Sequence, residues 1–176
     1  VCPAHGPCLT ETIASMKEQY KMWAARPLKT HRTAAVLYCS AYGATELLAN
    51  TMADALRGRG LAVTLTDVTK VPDGVPESLI NSADLVLLGA PTIRQDAPRP
   101  VWEVLASVDA LNTKVRAAAA FGSYGWSGEA PGMMHRRLRE LGFRTPETPF
   151  RAVLMPTKLD LAGAEAYAVE AASLLR

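Results

Sequence analysis

Cysteine is scarce in this sequence of 176 residues. The chain has only 3, at Cys2, Cys8 and Cys39, and their odd number and scattered positions argue against a disulfide framework. Free thiols persist in reducing compartments, so we expect the protein in the cytoplasm or in a similar, stroma-like compartment. Long apolar runs are also lacking. The longest, such as Leu85–Ala90, have the length of a strand, and we therefore expect no membrane span.

An excess of one charge is missing as well. The chain has 19 Lys and Arg against 17 Asp and Glu, a net charge of +2. That balance is too mild to hold nucleic acid by bulk charge, and we predict no nucleic-acid partner. Apolar residues are abundant, at 49%, which is enough to bury the core of one compact domain and excludes disorder over most of the length.

Residues 1–32 differ in character from the rest of the chain. The sequence begins at Val1 with neither Met nor a charged-then-apolar leader, so we expect a piece of a longer protein rather than a signal peptide. Apolar residues at helical spacing predict a helix over Leu9–Ala25. A proline and several basic residues then predict a linker over Arg26–Arg32, and a separate domain is expected over residues 33–176.

From residue 33 onward, short apolar runs alternate with helical patterns. The predicted strands are 34–39, 61–68, 85–89, 115–121 and 152–155. The predicted helices are 45–57, 101–107, 130–141 and 162–175, with a short helix within 72–82. This alternation predicts an α/β fold with a doubly wound, five-stranded parallel sheet and helices on both faces. Ligands of such sheets bind beyond the carboxyl ends of the strands.

Three loops at that edge carry residues suited to a ligand. The first, Ser40–Thr45, has hydroxyls on either side of a glycine at a helix start, where amides favour an anion such as phosphate. It has no Lys or Arg, and it matches neither GxxxxGK[ST] nor GxGxxG. An ordinary turn with Thr45 as a helix cap fits this first segment equally well.

The other two loops suit a flat ring. Gly89–Pro98 is stiffened by prolines and longer than a strand-to-helix link needs. Gly122–Gly128 has three glycines, which allow close approach of a ligand, and two aromatic residues, Tyr124 and Trp126, able to cover a ring. Each loop alone is compatible with a structural role. Together, the three fit a phosphorylated, planar aromatic ligand such as flavin mononucleotide (FMN).

The same segments resemble a known family. SAYGATE (40–46), GAPTI (89–93) and AFGSYGWSG (120–128) look like the three FMN-binding loops of flavodiiron proteins, or A-type flavoproteins. The resemblance implies a flavodoxin-like domain with strand order 2-1-3-4-5. It also implies which residues bind FMN: Ser40, Ala41, Tyr42, Gly43, Ala44 and Thr45 at the phosphate, with Pro91, Thr92, Ile93, Arg94, Gln95, Asp96, Ser123, Tyr124, Gly125, Trp126, Ser127 and Gly128 at the ring.

The resemblance extends upstream of this domain. Cys2–Pro7 and the helix with Tyr20 and Trp23 look like the end of the family's β-lactamase-like diiron domain, and His5 matches its last iron ligand. The other ligands are not in this chain, so a diiron centre is implied only for an intact parent protein. Ala44 departs from the polar residue that many relatives carry, which puts one side-chain contact to the phosphate in doubt.

By this resemblance the chain is an FMN-binding electron-transfer domain of a flavodiiron oxygen or nitric oxide reductase. Electrons would pass from a reductase partner or a fused reductase module to a diiron centre outside this chain, in a head-to-tail homodimer of the parent. The isolated domain is expected to carry electrons only and has no catalytic side chain. Because free-standing flavodoxins tend to be acidic, the charge of +2 favours a fused or preassembled donor.

Two other functions remain open from the residues. One is a stand-alone flavodoxin-like NAD(P)H:quinone reductase, although the sequence shows no insertion that would offer a nicotinamide site. The other is a phosphoacceptor receiver domain, which needs carboxylates after strands one and three, where this chain has Cys39-Ser40 and Gly89-Ala90. Reduction of bound flavin by NADPH without a partner would distinguish the quinone reductase.

Overall fold

The computed structural model describes residues 13–24, 32–111 and 113–175. The chain divides into two units, residues 1–30 and 31–176. In the first unit the structure describes one helix, α1 (Ile13–Ala24), which begins inside the predicted Leu9–Ala25. None of the helices in the described ranges combines the length and apolar character needed to cross a bilayer.

The second unit is built on a five-stranded parallel sheet in the order β2-β1-β3-β4-β5, which confirms the predicted fold and strand order. Its strands are β1 (Thr33–Tyr38), β2 (Ala62–Asp67), β3 (Leu85–Gly89), β4 (Ala117–Tyr124) and β5 (Phe150–Val153). Central strand β3 is buried at every position, whereas edge strand β2 is exposed at Ala62 and Thr64. This difference follows from helices covering the centre of the sheet on both faces.

Four helices connect the strands and a fifth follows β5; together they form two layers. They are α2 (Ala44–Gly58), α3 (Val75–Ser82), α4 (Arg99–Ala106), α5 (Glu129–Glu140) and α6 (Lys158–Ser173). Helices α2 and α6 pack on one face of the sheet, and α3, α4 and α5 on the other. Successive residues of a strand point to opposite faces, so the two layers enclose two separate apolar cores.

The alanine run of β4 illustrates how the sheet separates these cores. Ala117 and Ala119 belong to the core under α2 and α6, whereas Ala118 and Ala120 belong to the core under α3, α4 and α5. All four are fully buried. Because alanine side chains are small, helices on both faces can lie close to this strand.

Several element boundaries differ from the predictions. Strand β4 extends to Tyr124 rather than ending at Phe121, so residues 122–124, the start of the predicted loop Gly122–Gly128, belong to the sheet. Helix α6 begins at Lys158, four residues before the predicted start at Ala162. The reason for the second shift is a reciprocal capping box, in which the Thr157 hydroxyl and the Asp160 carboxylate each accept from the other's backbone amide.

Candidate functional site

A cavity of about 380 Å³ lies at the carboxyl edge of the sheet. Strands β2 and β3 flank β1, so the connections from β1 and β3 leave toward opposite faces and open a crevice between them. Four connections meet there: loop 1 (39–43), loop 2 (90–98), loop 3 (125–128) and loop 4 (154–157). The cavity is lined by Ser40, Ala41, Tyr42, Ala44, Pro91, Thr92, Ile93, Ser123, Tyr124, Gly125, Leu154 and Met155.

Loop 1 leads into α2 without a side-chain cap. Gly43 is the N-cap residue, with φ of 85°, a left-handed conformation that glycine adopts without strain. The Ser40 hydroxyl oxygen instead accepts from the Gly43 amide at 3.1 Å and from the Glu46 amide at 3.3 Å, which holds the loop in shape. The first amides of a helix have no carbonyl one turn earlier and lie at the positive end of its dipole. This N-terminus therefore offers neutral donors to an anion.

Thr45, the second residue of α2, points away from solvent. It is 1% exposed, and its hydroxyl lies 2.8 Å from the hydroxyl of Ser123 near the end of β4. Ser123 is buried as well. The two residues are 78 positions apart, so this contact ties the start of α2 to the end of β4. Thr45 does not act as the helix cap, which is one of the two roles that the sequence left open.

Loop 2 is fixed to the neighbouring strand and helix. The Thr92 amide donates to the Ser123 carbonyl at 3.0 Å, and the Thr92 hydroxyl accepts from the Ala130 amide at 3.2 Å. At its outer end the Asp96 carboxylate accepts from the indole N–H of Trp102 at 2.9 Å and from the Ala97 amide at 2.7 Å. These contacts make loop 2 a rigid wall of the cavity.

The tip of loop 2 is a tight turn in an unfavourable backbone conformation. Ile93 and Asp96 exchange two backbone hydrogen bonds, at 2.9 and 3.1 Å. The two residues between them, Arg94 and Gln95, have φ of 54° and 64°. This left-handed region favours Gly or Asn, so both residues store strain beside the cavity. Backbone strain of this kind clusters at functional sites.

Strand β4 packs closely against loop 2 at Gly122, which has no side chain. A Cβ on Gly122 would overlap the carbonyl oxygen of Ala90 and come within 2.9 Å of Pro131 Cγ. Gly128, the N-cap residue of α5 with φ of 76°, has the Tyr124 ring packed over its Cα. The glycines of this segment therefore serve contacts within the site as well as leaving room for a ligand.

Loop 4 adds two lining residues that the sequence analysis did not identify, Leu154 and Met155. The Leu154 amide donates to the Tyr124 carbonyl at 2.7 Å, and Leu154 itself has φ of 56°. The sequence analysis placed both residues inside the last strand. The available signal was topological, since the end of a parallel β5 must reach the same edge as loops 1 to 3.

Large apolar side chains surround the mouth of the cavity without being covered. Tyr42 is 92% exposed and Trp126 is 96% exposed. Ile93, Leu154 and Met155 are exposed as well. We call these five residues the apolar rim. Scattered apolar residues are normal on surfaces, but five gathered at one cavity mark a surface that meets a ligand or a partner.

A charged cluster lies at the ends of β1 and β2. The Asp67 carboxylate accepts from the Thr69 hydroxyl at 2.7 Å and from the Lys70 ammonium at 2.9 Å. Burial opposes ionisation of Asp67, but these hydrogen bonds outweigh it and hold its pKa below the ordinary value. Nearby, the Tyr38 hydroxyl donates to Glu46 at 3.2 Å, and burial together with that carboxylate raises the pKa of Tyr38.

Cys39, at the start of loop 1, is buried in the core. Burial, followed by the negative charge of Asp67, raises its pKa to about 12, so the side chain is a neutral thiol. Within the described ranges no three His, Cys, Asp or Glu side chains come together as a metal-binding group. His5, the predicted iron-ligand position, lies outside the residues that the structure describes.

The predicted binding residues separate into two groups. One lines the cavity, as given above. The other lies in loops 1 to 3 and at the start of α2, outside the cavity wall: Gly43, Thr45, Arg94, Gln95, Asp96, Trp126, Ser127 and Gly128. Several of these hold the loops in place. Ser127, for example, donates to Glu129 at 2.7 Å in the first turn of α5.

Comparison with known proteins yields one consistent group. The family model described as "Flavodoxin" matches residues 36–169. Flavo-diiron protein FprA2 of Clostridium acetobutylicum is 34% identical over 165 residues, which are 92% of this chain and 41% of the relative. Type A flavoprotein fprA of Rhodobacter capsulatus is 36% identical over 172 residues, 95% of this chain and 40% of the relative.

Solved structures agree with these relatives. The Flv1 flavodiiron core from Synechocystis sp. PCC6803 superimposes with a TM-score of 0.76 at 29% identity, over 98% of this chain and 43% of that one. The chain therefore spans about two fifths of the length of each of these three proteins.

Proposed function

This chain belongs to the flavodoxin family, and from that premise we propose that residues 33–176 form an FMN-binding electron-transfer domain. One observation carries the proposal: a cavity lies between the N-terminus of α2, whose N-cap residue Gly43 has no capping side chain, and an apolar rim. A phosphate ester needs hydrogen-bond donors, and a planar ring needs apolar surface against its faces. The residues present fit both parts of FMN.

The phosphate end of the ligand would be held by loop 1 and the first turn of α2. Ser40 and Gly43 shape the loop, and the amides of Ala44 and Thr45 are at the helix start, without a carbonyl partner one turn earlier. No Lys or Arg lies between residues 40 and 45, so neutral donors and the helix dipole would bind the dianion. Ala44 itself has no side-chain donor to contribute.

The ring end would be enclosed by Pro91–Asp96 on one side and Ser123–Gly128 on the other. Leu154 and Met155 of loop 4 extend this apolar wall. Bound FMN supplies reversible uptake and release of electrons. The chain's own residues bind and orient the ligand, and none of them needs to act as an acid or a base. The exposed apolar rim leaves the crevice open to an electron-transfer partner.

The relatives suggest what the parent protein does. FprA2 and fprA align over more than nine tenths of this chain, which includes sequence upstream of the FMN domain. We infer that the parent is a flavodiiron reductase of oxygen or nitric oxide, in which this domain passes electrons from a reductase partner or fused module to a diiron centre. Residues 1–32 would then end the β-lactamase-like diiron domain, with His5 at an iron-ligand position. Two parent subunits would pair head to tail in the cytoplasm.

The alternative of a stand-alone NAD(P)H:quinone reductase is not favoured. The relatives described above are flavodiiron proteins or A-type flavoproteins, and the matched region in each is part of a longer protein.

The proposal is tested by titrating the flavin-free chain with FMN and following flavin fluorescence and absorbance. We expect one FMN per chain, with quenched fluorescence and a shifted spectrum. The loaded chain should be reduced by dithionite and should then reduce cytochrome c. A folded chain that leaves the FMN spectrum unchanged would refute FMN binding.

A second measurement separates the two redox functions. An electron-transfer domain should stay oxidised when NADPH is added without a partner reductase. Rapid bleaching of the bound flavin by NADPH alone would instead support the quinone reductase.

A further inference from the structure

The outer end of loop 2 is held by a side chain of α4 that lies outside the cavity lining. The indole N–H of Trp102 donates to Asp96 Oδ1 at 2.9 Å, and the Ala97 amide donates to the same oxygen at 2.7 Å. The Trp102 ring is partly buried and packs against the core under α3, α4 and α5. The carboxylate of Asp96 is therefore fixed to a side chain that is itself anchored in the core.

Asp96 connects this anchor to a residue of the cavity wall. Its backbone exchanges hydrogen bonds with the backbone of Ile93, at 2.9 and 3.1 Å, and Ile93 lines the cavity. Between these two residues, Arg94 and Gln95 have positive φ. Such strain persists only where surrounding contacts hold the backbone in place, and the bond from Trp102 to Asp96 is one of these contacts. Without that bond the turn can relax, and Ile93 moves with it.

We propose that Trp102 is a positioning residue for the ring end of FMN, acting through Asp96 and the turn that carries Ile93. This inference rests on the proposed FMN binding. It also gives Asp96 a role different from the one that the family resemblance implies, because its carboxylate holds loop 2 from outside the cavity wall. The group that the inference requires is the indole N–H, since the bulk of the ring only packs against the core.

Substitutions can separate the hydrogen bond from the packing. Trp102→Phe keeps an aromatic ring against the core and removes the N–H. Asp96→Ala removes the acceptor, and Asp96→Asn, which keeps an acceptor oxygen, should recover most of what Asp96→Ala loses. The matched control is Ser107→Ala, which removes a hydroxyl that donates to the Val104 carbonyl at 2.9 Å near the other end of α4.

Hydrogen exchange of the flavin-free chain, followed by NMR, tests the anchor without FMN. The Ile93 and Asp96 amides each donate to the other's carbonyl, so both are protected while the turn is closed. We expect Trp102→Phe to speed exchange of both amides by roughly two- to tenfold, the effect of one lost hydrogen bond. The double variant with Asp96→Ala should exchange no faster than Asp96→Ala alone, because the two changes remove the same bond. Ser107→Ala should leave both amides at the wild-type rate.

Flavin titration and redox potentiometry then test the consequence at the ring. Trp102→Phe should weaken FMN and riboflavin, which lacks the phosphate, by the same factor of about two to five, because only the ring end of the cavity changes. It should also raise the reduction potential of bound FMN at a pH where the reduced ring is an anion. A displaced apolar wall lets water reach that charge, whereas an intact wall disfavours it. A loss of fold stability alone would leave the potential unchanged.

The strain in the turn supplies a further variant. Gln95→Gly removes strain at that position, so the turn depends less on its anchor. Trp102→Phe should therefore change the potential less in the Gln95→Gly background than in the wild type. An equal change in both backgrounds would contradict a role for Trp102 in holding the strained turn.

The inference is wrong if Trp102→Phe leaves amide exchange at Ile93 and Asp96 unchanged, or if its bound FMN keeps the wild-type potential. If circular dichroism shows Trp102→Phe to be unfolded, Asp96→Ala must show the faster exchange and the raised potential instead. Failure of the wild type to bind FMN would refute the proposed function. Exchange in the flavin-free chain would still decide whether Trp102 holds the turn.

Discussion

His135 lies on α5 with its side chain almost completely buried. Within the described ranges neither ring nitrogen makes a hydrogen bond of normal geometry, although the Glu147 backbone lies close enough to favour the protonated ring slightly. Burial, followed by the positive charge of Arg139, lowers the pKa of His135 below its ordinary value. In the sequence His135 stands beside Arg136, Arg137 and Arg139, but its own side chain turns inward.

A pH dependence of stability follows from the buried histidine. In the unfolded chain His135 titrates near its ordinary pKa, about 6.5, so as the pH falls the unfolded state takes up the proton first. The free energy of unfolding should therefore decrease below about pH 6.5, by at most about 1.4 kcal/mol per pH unit from this residue. Urea unfolding at several pH values between 5 and 7 measures this decrease in the free energy of unfolding.

Two variants check this assignment. His135→Leu should remove the dependence, and Arg139→Gln should reduce it, because the pKa of His135 would rise toward its ordinary value. An unchanged pH profile in His135→Leu would show that another group is responsible.

The turn at Arg94 and Gln95 predicts an unusual gain from glycine. A left-handed conformation costs about 1–2 kcal/mol for a residue other than glycine, so replacing such a residue by glycine removes this cost. Part of the resulting gain in stability is lost, because glycine has more conformational freedom in the unfolded chain. We therefore expect Gln95→Gly to stabilise the flavin-free chain by about 0.5–1 kcal/mol in urea unfolding. Gln95→Ala keeps the strain and serves as the control. Equal stability of the two variants would mean that the turn is not strained.

At the scale of elements, the contact between β4 and loop 2 depends on Gly122. A methyl group there would overlap the Ala90 carbonyl, so Gly122→Ala must displace loop 2 or α5. Overpacking of this kind costs about 1–3 kcal/mol, and FMN affinity should fall with it because Ala90 begins a wall of the cavity. Thermal unfolding and FMN titration measure the two effects.

The matched control lies in loop 3. A Cβ on Gly125 would be 3.4 Å from Leu154 Cδ2, an ordinary contact, so Gly125→Ala should cost much less stability. Equal losses in the two variants would contradict this explanation.

Most helices and strands could be predicted from the sequence. The spacing of apolar residues in each element reflects whether that element is buried on one face or on both. Strand order 2-1-3-4-5 came from the family resemblance and was confirmed, whereas element ends were less certain. The end of β4 at Tyr124 depends on pairing with β5, which reaches across to Val153. The start of α6 at Lys158 depends on the Thr157 cap, and a cap is a local signal that the apolar period does not contain.

The candidate site was predictable as a set of loops but not as a set of contacts. The segments around Ser40, Pro91 and Ser123 meet at one cavity because parallel strands end at one edge. The bond between Thr45 and Ser123 spans 78 residues, and nothing local in the sequence indicates it. Leu154 and Met155 were missed for a similar reason, because their role depends on where β5 ends.

At the scale of the whole molecule, charge and apolar surface suggest how partners meet it. The net charge of +2 provides little long-range attraction for a partner of either positive or negative charge. The apolar rim, by contrast, offers five large exposed side chains at the mouth of the cavity. Contact with a partner held nearby should therefore depend more on the rim than on charge steering.

The same balance predicts how FMN binding responds to salt. Loop 1 has no Lys or Arg, so the phosphate would be bound by amides, hydroxyls and the helix dipole at short range, where salt screens weakly. We expect FMN affinity to change by less than about threefold between 0.05 and 0.5 M NaCl. Ala41→Lys, which introduces a cation at an exposed position of loop 1, should bind FMN more tightly at low salt and lose that gain as salt rises. A steep salt dependence in the wild type would show that a cation outside loop 1 contributes to phosphate binding.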